Sequence, residues 1–361
     1  MKLVRLPELQ CPSCQGDLSV AANATMRNGE VFEGLLQCKS CAARFPVRNY
    51  IPRLLRTPDN YSDSWGKLWR ETGALLRDSS TGIPFHRDTI HGYFDPQATV
   101  VSGAGASMFG FEWPTELHGQ HVLEVGPGTG NCTEILVQTG ATLTCVDMSN
   151  AIDTFPEALL THPNILVVQA DINDGILSPQ SYDRIWLFQV LQHTPDPAAT
   201  LAMMYGYLRS GGELAVTSYY GKGPWTAWYY PLTRAIPDDR AWELIARWVP
   251  RLVQTKYRVT KIGIPLFTRL ARKLLEPIDP RDIYYDTLEG RAHHTLHGAM
   301  YDRNHDLQAL KHFAAINTFD RITCRYTNSA THEDIERWCR TAGFTAVRTW
   351  GVGGVRARAV R

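Results

Sequence analysis

The stretch that most constrains this chain is His121–Gly130, HVLEVGPGTG. Val122, Leu123 and Val125 read as a short buried strand. Glycines at 126, 128 and 130 follow at once, and then a helix opens. Glycine lets the backbone approach a ligand closely and present N–H groups at a helix N-terminus. A turn of this kind after a first parallel strand is where nucleotide-like cofactors sit in doubly wound sheets. It points to an α/β fold and leaves the cofactor open.

Downstream, strands and helices alternate. A helix through about Gln138 is expected after the turn, then a strand over 141–149. Further strands are expected at 165–169, 182–191 and 213–218, with a helix over Pro197–Leu208 and a turn over Leu208–Leu214. Asp147 lies 21 residues past Gly126 (147 − 126), where an acid accepts from both ribose hydroxyls. Asp171 follows the third strand, where a carboxylate can accept from the amine of an adenine. A nicotinamide enzyme shares much of this layout. Two details argue otherwise: Glu124 precedes the turn, giving E-x-G-x-G-x-G, and the fourth strand runs into QVLQHTPDP.

Together VLEVGPGTG, CVDMS, QADI, YDRIWLFQVLQHTPDP and LRSGGELAV resemble, in order and spacing, the motifs of class I S-adenosylmethionine (SAM)-dependent methyltransferases. The resemblance covers about residues 121–218. It implies an α/β, Rossmann-like fold with a seven-stranded, mostly parallel sheet. By position, Gly126 and Gly128 would line the methionine and ribose, with Gly130 completing the turn. Glu124 would orient the turn or meet the amino group. Asp147 and Met148 would hold ribose and adenine, Asp171 and Ile172 the adenine edge. Gln189 would face the methionine, and Asn131 and Cys132 the carboxylate, Cys132 being better suited to apolar packing. His193 is a candidate general base; hydrogen bonding within its own turn is the competing role.

A separate signal precedes this core. Cys11-Pro-Ser-Cys14 and Cys38-Lys-Ser-Cys41 are two CxxC pairs, the arrangement of a closed four-thiolate structural zinc site. Asn28-Gly29 between them marks a hairpin turn. Residues 45–55 are expected to form a proline-bearing edge strand. The unit resembles the small zinc-ribbon proteins that activate tRNA and protein methyltransferases, here fused in one chain. The expected organisation is a zinc ribbon (1–58), a helical cover (59–120), the SAM core (121–218), an inserted helical lid (219–330), and a last helix with two terminal strands (331–361).

In the cover, Trp65 and Trp69 share a helix face, fit either for packing or for covering a cofactor with Tyr61. In the insertion, Tyr219, Tyr220 and the run Trp225–Tyr230 stand just past the fifth strand. There they are candidates to meet a sulfonium or a flat acceptor, Tyr219 and Tyr220 as catalytic residues. Residues 240–281 carry ten Lys or Arg against three acids. That suits an anionic substrate, a carrier protein or a membrane surface, or simply a solvated face. His293, His294 and His297 lack the acid of a metalloprotease motif. Phe319, Asp320 and Tyr326 are acceptor-site candidates, through a resemblance of 319–344 to the closing part of zinc-ribbon-bearing bacterial methyltransferases.

The net charge of +1 gives no global reason to bind nucleic acid. No run is apolar enough to span a membrane, and the first residues lack a signal-peptide core, so a cytoplasmic protein is expected. The functional expectation is methyl transfer from SAM to a small secondary-metabolite or glycan-type acceptor. Competing readings are cyclisation of SAM with release of methylthioadenosine, a tRNA or protein methyltransferase, and a non-catalytic SAM-binding module. The fourth strand lacks the Asn/Asp-Pro-Pro-Tyr/Phe pattern used on planar amines, which weighs against the tRNA or protein reading.

Overall fold

The computed structural model describes residues 1–57, 60–73, 77–82, 84–92, 110–219, 236, 238–261, 315, 319, 323–351 and 354–361. Tyr220, Trp225–Tyr230, the histidines at 293, 294 and 297, and Asp320 lie outside them. The chain divides into two units: Met1–Ser80, Trp113–Lys222 and Tyr326–Arg361 in one, Thr81–Glu112 and Gly223–Arg325 in the other.

The first unit is built on one sheet. The ribbon supplies β1 (Leu18–Val20), β2 (Thr25–Arg27), β3 (Glu30–Cys38), β4 (Arg44–Arg48) and β5 (Ile51–Leu54). The core supplies β6 (His121–Val125), β7 (Thr142–Asp147), β8 (Ile165–Ala170), β9 (Tyr182–Leu187), β10 (Leu208–Tyr219), β11 (Thr345–Trp350) and β12 (Gly354–Val360). Their order is β1-β3-β4-β5-β8-β7-β6-β9-β10-β12-β11, with β2 beside β3. The seven core strands are parallel from β8 to β10, and β12 is antiparallel to both β10 and β11. Each residue of β8 is buried, as expected of a parallel strand covered on both faces.

Several local expectations change. Residues 45–55 form two strands, and the second is internal. β5 pairs antiparallel with β4 and parallel with β8, through Arg53↔Gln169 and Leu54↔Ala170. Pro52 is tolerated because it stands opposite Val47 on the β4 side, just before the residues that pair with β8. The fourth core strand ends at Leu187, because Gln189 adopts a left-handed backbone (φ 57°) that breaks the ladder. The expected turn at 208–214 is an irregularity inside β10, between Leu208 and Glu213. The helix after the glycine turn is short, Thr133–Leu136, and tightens into a 3-10 turn over Val137–Thr139.

Other local signals fold as written. Asn28 and Gly29 both take positive φ in the β2–β3 hairpin. Asp196 caps the helix Pro197–Tyr207 by accepting from the N–H groups of Ala198 and Ala199. Thr331 and Asp334 form a reciprocal capping box on the helix His332–Ala342, which stops at Gly343 in the left-handed region. The core of this unit gathers Leu123, Ile185, Leu187, Leu201, Leu214 and Ile335, together with ribbon residues such as Leu36 and Val47. Truncating one of these to alanine costs about 2–5 kcal/mol.

In the second unit, a helix over Phe85–His91 is followed by backbone bonds from Phe111 N–H to Thr89 O and from Glu112 N–H to Gly92 O. A helix of 24 residues runs from Asp238 to Lys261, with Ala241, Ile245 and Val249 buried. No helix among the described residues is long and apolar enough to cross a membrane.

Candidate active site

The C-terminal ends of β6, β7, β8 and β9 bring together the glycine turn, Asp147, Asp171 and Gln189. Such an end of a parallel sheet is where ligands bind in folds of this kind. All three turn glycines have positive φ, at 69°, 58° and 88°. At Gly126 a Cβ would stand 2.2 Å from Val190 Cγ2, so the turn passes hard against the end of β9. Gly128 sits under the ring of Trp69. Gly130 faces Phe155 and Leu159 and belongs to the packing behind the turn.

Asp147 ties the first two loops together. Its Oδ2 accepts from Gly128 N–H at 2.8 Å, and its Oδ1 from the N–H and hydroxyl of Ser149, both at 2.7 Å. A carboxylate offers about four acceptor directions, so three are engaged and one is left for a ligand hydroxyl. Burial raises its pKa and the three donors oppose that rise. Glu124 is buried, and its Oε2 accepts from Thr133 Oγ1 at 2.6 Å and from Cys145 Sγ at 3.5 Å. Thr133 opens the short helix after the glycine turn, so this bond ties β6 to that helix. Burial pushes the Glu124 carboxyl up to about 7. Asn131 is buried and accepts from Thr129 Oγ1. Cys132 is buried in apolar surroundings that push its thiol pKa up, which keeps it protonated and unreactive.

The loops after β7 and β8 are held by residues that motif spacing alone does not single out. The backbone carbonyl of Met148 accepts from Asn60 Nδ2 at 2.7 Å and from Gln169 Nε2 at 3.1 Å. Asp171 accepts from Tyr61 O–H at 3.0 Å and, through its other oxygen, from Asn173. Burial, with the neighbouring Asp171 carboxylate, raises the Tyr61 pKa, so the phenol stays a donor. Ile172 is buried beneath. The helix Asp63–Thr72 runs over these loops. Besides Trp69 on Gly128, it sets Trp65 against the His193 ring, 4.5 Å between centroids. A Cβ at Gly66 would meet Asn150 at 3.1 Å, so glycine permits the close approach.

After β9, Gln189 is exposed. Its strained backbone is held by its own N–H, which donates to Thr217 Oγ1 at 2.6 Å. His193 Nδ1 lies 3.1 Å from the Tyr326 carbonyl oxygen, and the Tyr326 ring meets Tyr61 edge-on. A carbonyl only accepts, so this contact places the proton of a neutral imidazole on Nδ1 and the ring's lone pair on Nε2. Tyr219 ends β10, and its side chain is not described; Phe319 belongs to the second unit, where it packs on Trp242.

Residues 123–216 match the family model of the methyltransferase domain. That stretch, about a quarter of the chain, is similar in sequence to methyltransferase domains. Over 101 residues it is 30% identical to a ubiquinone biosynthesis O-methyltransferase of Pseudomonas entomophila (strain L48), covering 27% of this chain and 44% of the relative. The corresponding protein of Pseudomonas fluorescens (strain Pf0-1) is 29% identical over the same length. The match thus spans less than half of these relatives. Among solved structures, a Haemonchus contortus phosphoethanolamine N-methyltransferase 2 is 14% identical, covering 79% of this chain and 46% of its own, at a TM-score of 0.36. A chain in the complex of the Haloferax volcanii Trm112 methyltransferase activator with a methyltransferase is 11% identical, covering 82% and 97%, at 0.44. The stretch that matches the family model begins within β6, ends within β10, and includes the glycine turn, Asp147, Asp171 and Gln189.

Away from that site, Cys11, Cys14, Cys38 and Cys41 converge, their sulfurs all within 4.8 Å of one another. The Cys11–Cys41 and Cys14–Cys38 separations are 3.7 and 3.5 Å. Ligands at about 2.3 Å from a tetrahedral ion stand about 3.8 Å apart, so the set fits zinc. The N–H groups of Cys41 and Ser40 point at Cys38 Sγ and hold that thiol below its usual range. Gly16 allows the second knuckle to close, since a Cβ there would meet Ser40 Oγ at 2.5 Å.

Proposed function

We propose that the chain transfers a methyl group from SAM to a small-molecule acceptor of the secondary-metabolite or glycan type. The observation that carries the reading is the Gly128–Asp147 clasp at the end of β6 and β7, inside the stretch that matches the methyltransferase domain. When bound, SAM supplies an electrophilic methyl on a sulfonium leaving group. Gly126 and Gly128 bring backbone close to the methionine and ribose. Asp147 orients the ribose, Asp171 and the Met148 backbone the adenine, and Gln189 the methionine end. Trp65, Trp69 and Tyr61 cover these loops and exclude water. Alignment and desolvation supply most of the rate in such a displacement. His193 Nε2 takes the acceptor's proton where the acceptor arrives protonated. The names of the Pseudomonas relatives support a hydroxyl as the first acceptor to try.

The four cysteines hold a structural zinc ion in the same reading, since all four positions of a tetrahedral site are taken by protein. The test is calorimetry with S-adenosylhomocysteine, followed by product analysis with SAM and a panel of phenols, sugars and carboxylates. Binding together with S-adenosylhomocysteine release supports the reading. Methylthioadenosine formed from SAM alone, or no SAM binding, overturns it.

A further inference from the structure

The helix Asp238–Lys261 belongs to the second unit. Its inner side is defined by Ala241, Ile245 and Val249, four residues apart and buried, and by Trp242, whose ring meets Phe319 at 5.3 Å. The opposite side is exposed and ordered. With 3.6 residues per turn, Arg240, Arg247 and Arg251 fall within about 20° of one line along the helix axis. From Arg240 to Arg251 the line is about 17 Å long at 1.5 Å per residue. No acid falls on it; Glu243 lies about 60° to one side.

To the other side stand Leu244 and Trp248, 44% and 52% exposed. The guanidinium carbons of Arg247 and Arg251 lie 5.8 and 5.4 Å from the Trp248 ring centroid. The chain as a whole has a net charge of +1, so this basic line is a local concentration and not the overflow of a basic protein. A large indole and a leucine left in water beside three exposed guanidinium groups mark a surface that meets something.

We propose that this face lies on an anionic lipid surface. Charge complementarity selects an anionic partner, and the apolar pair selects its kind. A nucleic-acid backbone would satisfy the arginines but give Leu244 nothing to be buried in. A phosphate-bearing bilayer takes both: guanidinium groups at the phosphates, the indole at headgroup level, the leucine at the acyl boundary. The helix rests in the plane of the surface; it is not apolar enough to cross. The inference uses none of the residues on which the transfer reading rests.

The test is co-sedimentation of the full chain with vesicles of phosphatidylcholine alone and with about one third phosphatidylglycerol. Binding to the anionic vesicles, weakened by salt, is expected. The triple substitution Arg240→Gln, Arg247→Gln, Arg251→Gln is expected to weaken it roughly a hundredfold, at about fivefold per arginine lost. The pair Leu244→Gln and Trp248→Gln is expected to weaken it about tenfold or more. Both variants keep the affinity for S-adenosylhomocysteine, measured by calorimetry, which separates loss of docking from loss of fold. Equal binding to both vesicle types, no binding to either, unchanged binding by the triple variant, or preference for a duplex RNA of the same ionic strength dependence would each overturn the proposal.

Discussion

Arg53 Nη1 donates to Gln169 Oε1 at 3.0 Å, and Gln169 Nε2 donates in turn to the carbonyl of Met148. The first of these residues is in the ribbon strand β5, the second in the core strand β8, and the third in the loop read as the adenine seat. Replacing Arg53 with Met keeps the length of the side chain and removes the donor. A charge-assisted hydrogen bond contributes about 1.5–3 kcal/mol, so S-adenosylhomocysteine binding should weaken about tenfold. Arg56→Met, at an exposed ion pair with Asp174, should leave it within about threefold. Calorimetry on both variants checks the contrast; equal effects would mean that Arg53 acts only through general stability.

Gly126 and Gly119 both have positive φ, at 69° and 75°, but only Gly126 lacks room for a side chain. Gly119→Ala should cost about 1 kcal/mol from backbone strain alone. Gly126→Ala adds the clash with Val190 and should cost about 2–4 kcal/mol while abolishing cofactor binding. Thermal unfolding read beside calorimetry distinguishes the two.

Glu124 gives a pH dependence whose sign is fixed. Its carboxyl is raised in the folded chain from 4.5 to about 7, so the folded state keeps a proton that the unfolded state releases. The associated stability is fully present below pH 4.5 and is lost as pH rises through about 7. Glu124→Gln keeps an uncharged group in place and should flatten this slope, gaining roughly 1–3 kcal/mol at pH 8 relative to the parent. Denaturant titrations at pH 5 and pH 8 measure it. A slope that survives the substitution would assign it to another group.

His193→Gln separates proton transfer from binding. In the proposed chemistry, turnover of a protonated acceptor falls by about 10²–10⁴-fold and the rise of kcat with pH disappears. Affinity for S-adenosylhomocysteine stays within about threefold. An unchanged kcat would leave His193 as a strut between Trp65 and the Tyr326 backbone.

Removing the ion from the four-cysteine cluster should be felt in the core. One equivalent of zinc is expected in the purified protein by metal analysis. Cys38→Ser should lose it, lower the midpoint of thermal unfolding by several degrees, and weaken cofactor binding through β5. A zinc-free protein with an unchanged midpoint contradicts a structural ion.

The core sheet was legible because its signals are local. Buried apolar runs such as Ile165–Ala170, the glycines at 126–130 and the capping residues Asp196 and Thr331 each report on their own few residues. Asp147 and Asp171 follow from strand order, since the tip of a parallel strand has a fixed chemical neighbourhood. What was not legible depends on pairing between distant segments. Nothing in IPRL shows that β5 will lie beside β8 and not at an edge, because Pro52 reads as an edge signal until its two neighbours are known. Asn60 and Tyr61 look like ordinary helix-entry polar residues until the helix Asp63–Thr72 is seen to cross the site. Glu124 reads either as orienting the turn or as meeting an amino group, and its bonds to Thr133 and Cys145 depend on packing that the motif does not show.

The pairing of β5 with β8 is intramolecular, and that changes what the ribbon can be to the rest of the chain. A ribbon made as a separate protein would occupy the β8 edge only as far as its concentration allowed. Within one chain the local concentration stays at about millimolar order whatever the level of expression, so occupancy is close to complete and the stoichiometry is always one to one. No competing strand from another molecule finds that edge open. Whatever ion the four cysteines take, its supply becomes a condition on every copy of the cofactor site at once.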